Sequence, residues 1–76
     1  MVISLVLIEG KNLSEEALVF SLQNAKQIVI GNAQGFGTIL HIAATTPADL
    51  REALLKYAQV PGVTGVTILA TRSDWG

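Results

Sequence analysis

Apolar and polar positions alternate in two different rhythms along the chain. From Val2 to Glu9 the run is rich in β-branched residues and leucine, as expected of a central strand buried on both faces. Gly10-Lys11-Asn12 breaks it. Ser14 then stands where it can cap a helix, with Glu15 and Glu16 in a first turn where the helix dipole favours acids. Leu13 and Leu18 are spaced for a hydrophobic staple. The pattern predicts a helix from Glu15 to Asn24 with Leu18 and Leu22 on one stripe, although Val19-Phe20 also suits a strand. A second strand follows over Gln27 to Gly31. The glycine-rich stretch Asn32 to Gly37 reads as a hairpin loop, and Thr38 to Ala44 as the third strand. Thr46-Pro47-Ala48-Asp49 is a helix start, with a cap, a proline in the first helical position and an acid at N3. That helix runs to about Ala58, with Leu50, Ala53, Leu54 and Tyr57 at core spacing. Val60-Pro61-Gly62-Val63 stops it, Thr64 to Thr71 is the fourth strand, and Arg72 to Gly76 a short tail.

The order β-α-β-β-α-β predicts one α+β domain over residues 1–76 of the ferredoxin-like kind. Two right-handed crossovers would give an antiparallel sheet with both helices on one face and the first and third strands central. The other sheet face is the informative one. Ile3, Leu5 and Leu7 alternate with Val2, Val6 and Ile8, and Leu40 and Ile42 alternate with Ile39, His41 and Ala43. Whichever set meets the helices, the opposite set remains largely apolar, whereas a solvated face would alternate with polar residues. Leu5, Leu7, Ile39 and His41 are therefore expected at an interface between copies of this chain, a homodimer or larger.

Composition strengthens that expectation. Only 14% of the 76 residues are charged against 50% hydrophobic, where typical domains carry about 25% charged residues. A small domain has the most surface per residue, so low charge points to surface covered by a partner. The net charge of −1 and five scattered basic residues argue against nucleic acid. The N-terminal apolar run is too short to span a bilayer, which takes ~20 residues, and it lacks the flanks of a signal peptide. No membrane association and a cytoplasmic location are expected. With no cysteine and a single histidine, neither a metal site nor a cofactor is expected.

The stretch from about Gln27 to Arg72 resembles the effector-binding domain of the leucine-responsive regulatory protein and AsnC family. The resemblance is carried by Gly35-Phe36-Gly37-Thr38, then Ile39-Leu40-His41-Ile42, the helix from Asp49 to Tyr57, and the turn Val60-Pro61-Gly62-Val63. It implies a stand-alone domain that pairs through its sheets and binds an amino-acid-like metabolite where subunits meet. Gly35, Phe36, Gly37, Thr38 and His41 would be the ligand-binding residues. That family has Asp where Thr38 stands. Ala33, Gly35, Val60, Gly62 and Val63 also resemble the pattern of the NapD family, small cytoplasmic chaperones of periplasmic nitrate reductase maturation. This second likeness implies a module that binds a signal peptide.

Each candidate has a plainer alternative. The Gly31 to Gly37 loop could present amides to a carboxylate, or it could be a hairpin that needs positive φ. His41 has no Ser, Cys or carboxylate tied to it by spacing, so it reads as an interface histidine before a catalytic one. Glu15 and Glu16 point apart on a helix and complement its dipole rather than forming a catalytic pair. Arg72 and Trp75 could anchor an interface or belong to a frayed terminus. Without a paired acid and base or a phosphate loop, the chain is not expected to be an enzyme.

Overall fold

The computed structural model describes residues 1–11, 13–33 and 35–73. The strands are β1 (Val2–Gly10), β2 (Ala25–Ala33), β3 (Gly37–Ala44) and β4 (Val63–Ser73). The helices are α1 (Glu15–Leu18) and α2 (Pro47–Ala58). They form an α+β, ferredoxin-like fold in the order β-α-β-β-α-β, with a four-stranded antiparallel sheet ordered β2-β3-β1-β4. The most apolar strands, β1 and β3, occupy the centre, as expected.

Register decides which alternating set faces the helices. Val2, Ser4, Val6 and Ile8 of β1 lie beside Ala44, Ile42, Leu40 and Thr38 of β3, and all eight are buried. With Leu18, Leu50, Ala53 and Tyr57 from the helices, their apolar members form one core. The two polar residues sit in it because β-pairing places them there. Ser4 Oγ donates to the Ala70 carbonyl at 3.1 Å and lies 3.2 Å from Thr71 Oγ1, which meets the need of a buried hydroxyl for a partner.

Helix α2 matches the expected span. Thr46 Oγ1 accepts from the Asp49 amide at 3.2 Å and donates to Asp49 Oδ2 at 2.9 Å, so the cap is bonded in both directions. Helix α1 is a correction: it ends after one turn, at Leu18, instead of reaching Asn24. Val19 is already extended, with φ −106° and ψ 100°. The side chain of Gln27 then takes the Phe20 carbonyl at 2.5 Å, a group that a continuing helix would have kept. Phe20 stacks on Tyr57 with ring centroids 4.9 Å apart. The β-branched and aromatic pair that left this helix ambiguous thus finds better bonds outside it.

The outer strands run longer than their apolar positions suggest. Asn32 pairs with Thr38, Arg72 with Ile3 and Ser73 with Val2, so Arg72 belongs to β4 rather than to a tail. Trp75 lies outside the described residues. The edge strands carry irregularities in register, one in β2 and two in β4, and the residues left without a partner across the ladder include Ile30 and Leu69. These residues are 57% and 52% exposed. Bulges of this kind twist an edge away from further pairing. Among the described residues no helix is long and apolar enough to cross a membrane.

Candidate functional site

Two regions gather the candidate residues, and they adjoin at Glu9 and Gly37. The first is the loop end of the sheet, where the end of β1, the β2–β3 hairpin and the turn before β4 meet. Antiparallel pairing puts Glu9 opposite Gly37 on one side and Gly65 on the other. The Gly10 amide donates to the Phe36 carbonyl at 3.1 Å, tying the β1 end to the hairpin. Two of the glycines are there for closeness. A Cβ on Gly37 would strike the Ile8 carbonyl oxygen, and one on Gly10 would strike the Gly62 carbonyl oxygen.

Open cavities of about 430 and 500 Å³ flank the exposed Phe36 ring, within the size range of small-molecule sites. Gly35, Phe36, Gly37 and Thr38, the expected ligand-binding segment, all line the first, together with Lys11 and Asn32. The second is lined by Glu9, Lys11, Gly35, Phe36, Gly62 and Thr64 among others. Lys11 is shared by both, and its side chain makes no ion pair among the described residues. Sequence reasoning missed Glu9, Lys11 and Thr64. The available signal was the Gly10 break after the first strand, which marks a close approach but does not say to what.

His41 does not join this group. It lies on the open sheet face, where its register neighbours are Leu5 of β1 and Ile28 of β2. The expected ligand-binding set therefore divides into four residues at the loop end and His41 on the open face. No carboxylate or nucleophile stands across the ladder from the imidazole.

The open face is the second region. Four transverse rows cross it. Lys26, Ala43, Ile3 and Arg72 make the first; Ile28, His41, Leu5 and Ala70 the second; Gly31, Ile39, Leu7 and Thr67 the third; and Gly37, Glu9 and Gly65 fall in the fourth. Leu5, Leu7, Ile39 and His41 are half-buried here, while Ile28 is 61% exposed. All four of the expected interface residues that the structure describes share this face. Among the described residues, no three metal-binding side chains cluster. Among the described residues, the one strongly shifted titratable group is away from both regions. Burial pushes the Tyr57 phenol up to about 12.

Compared with known proteins, no family model matches the chain, and no curated protein or solved structure matches it.

Proposed function

We propose that this protein is a small homo-oligomeric, regulatory binding module of the cytoplasm that takes an amino-acid-like metabolite at the loop end of its sheet, and that it is not a catalyst. The observation that carries the reading is the meeting of Lys11 with the Gly35–Thr38 turn around adjoining cavities. A lysine ammonium beside a glycine turn suits a carboxylate: the ammonium supplies charge, and glycines let a ligand approach the backbone closely. The likeness of Gln27 to Arg72 to effector-binding domains supports the same ligand class. Oligomerisation is supported by the apolar open face, which reaches the site through Glu9, Gly37 and Gly65.

Thermal unfolding in the presence of single amino acids, the matching amines and the matching carboxylic acids tests this. A ligand present at a hundredfold over its dissociation constant stabilises by about 2.7 kcal/mol. For a chain this short that raises Tm by about 10 °C or more. The carboxylates should act, the amines should not, and Lys11→Met should abolish the shift. No shift with any of them, in a protein that light scattering finds monomeric, would sink the reading.

The same apolar face supports a second reading, a peptide-binding chaperone module. It requires a monomer that binds an amphipathic peptide through Leu5 and Leu7, and a closed dimer argues against it.

A further inference from the structure

The open face is polarised from end to end. Its first row carries Lys26 and Arg72 at its two outer corners, and its last row carries Glu9 near the middle. Between them lie two rows without a formal carboxylate or ammonium. Glu9 is held in place from below: its carboxylate lies against Gly65, where a Cβ would collide with Oε2. Among the described residues, none of the three side chains has an ion-pair partner within the subunit.

We propose that a second copy of this chain covers the open face, sheet on sheet, with its strands running opposite to those of the first. Glu9 then meets Arg72 of the partner subunit, twice across one two-fold axis. This rests on the oligomeric reading above and adds to it the mode of pairing. A two-fold contact is isologous, so every row meets a row of the same face. Aligned sheets pack within about 30° of each other, which leaves two ways to place the axis. If the axis runs along the strands, the first row lies over its own copy. Lys26 is then set against Arg72 of the partner subunit at both corners, and the two Glu9 carboxylates lie one strand apart, like charge beside like charge. If the axis runs across the strands, the first row lies over the last. Each Glu9 then sits one strand away from Arg72 of the partner subunit, about 4.8 Å to the side, which an arginine side chain easily spans. Only the second arrangement places unlike charges together.

The apolar middle fits the same axis. Rows two and three exchange places, so His41 and Leu5 pack over Ile39 and Leu7 of the partner subunit. Four strands by four rows cover about 19 by 26 Å, or roughly 500 Å² in projection. Side-chain relief raises the accessible area above that. This approaches the roughly 600 Å² per partner at the lower limit of specific interfaces. The arrangement also brings Arg72 and Lys26 of the partner subunit to the row that borders the loop-end cavities, so the candidate site is completed across the interface.

Charge exchange tests the pairing. Sedimentation equilibrium at low salt should give a dimer for the native chain. Glu9→Lys and Arg72→Glu should each weaken it about tenfold or more, since two attractions become two repulsions. The double variant E9K/R72E should recover most of the loss. Leu5→Asp should give a folded monomer by circular dichroism. Recovery in the double variant supports the crossed arrangement. A dimer that survives Glu9→Lys unchanged, or is not recovered by the exchange, overturns it and leaves the oligomeric reading standing. A native chain that stays monomeric, with or without bound amphipathic peptide, overturns both.

Discussion

Replacing Tyr57 by Phe should stabilise this protein at neutral pH, and the gain should be larger than it looks once pH is raised. Tyr57 is completely buried at the centre of the α2 face, and its ring packs on Phe20. Its hydroxyl is closed off from solvent and has no hydrogen-bond partner among the described residues. A buried polar group left unsatisfied costs about 1–3 kcal/mol. Phe keeps the ring and removes the oxygen, so the expected gain is about 1 kcal/mol after loss of the hydroxyl's packing contacts. The same burial raises the phenol to about 12 in the folded chain, from its ordinary value of 10.0. With the folded value above the unfolded one, the neutral phenol's contribution is complete below pH 10 and is lost as pH rises from 10 to 12. At 1.36 kcal/mol per unit, that loss approaches about 2.7 kcal/mol. Urea unfolding of both chains at pH 7, 9, 10 and 11, followed by circular dichroism, measures both effects. Every other side chain is common to both chains, so the difference curve isolates Tyr57. A Phe variant less stable by more than 0.5 kcal/mol, or a difference independent of pH above 10, would show that the hydroxyl is bonded or solvated (about 0.5 kcal/mol is the scale of a surface change).

Three further outcomes follow from the same packing. Leu18→Ala should cost about 3 kcal/mol in urea unfolding, because the single turn of α1 places this side chain fully in the core. A cost near that of an exposed site would mean α1 does not pack as described. Thr46→Ala should cost about 1 kcal/mol and Thr46→Ser much less, since the hydroxyl's two bonds to Asp49 are the cap. Gly37→Ala should destabilise by 2 kcal/mol or more, on the order of an overpacked core position, because a Cβ there meets backbone of β1. Amide exchange in that variant should rise first at Ile8 and Glu9, and protection unchanged there would refute the close approach.

What the chain states locally is the element order and the sharper boundaries. Thr46, Pro47 and Asp49 carry the start of α2 because capping is a matter of neighbours a few residues apart. The apolar runs of β1 and β3 mark them as central, since central strands carry apolar residues at successive positions whereas edge strands do so less. The Asn32 to Gly37 stretch was legible as a hairpin needing positive φ, since the glycines that permit it are visible in the residues themselves, and Gly35 and Gly37 adopt it. Helix α1 was misjudged beyond Leu18 because Val19 and Phe20 are locally neutral between helix and strand. The choice was made by Gln27, which folds back from β2, and by Tyr57, which is distant in the chain and adjacent in space. The ends of β2 and β4 were missed for a related reason: Asn32 and Arg72 extend because β3 and β1 offer them partners, whatever their own propensity.

The site and the open face required tertiary structure altogether. Alternation determined that two apolar sets exist on β1, but not which one meets the helices, because the two sets are equally hydrophobic. Register settled it, and left Leu5, Leu7, Ile39 and His41 together on the open side. Lys11 stands 24 positions before Gly35 in the chain, and only the β1–β3 ladder and the Gly10–Phe36 bond bring them to one cavity. Glu9, Lys26 and Arg72 are scattered charges along the chain and become the two ends of one surface only when strands align. Local stereochemistry and hydrophobic period act over a few residues, so the sequence alone determined the elements. Which elements neighbour one another is a long-range property of pairing and packing, so only the tertiary structure decided the surface and the site.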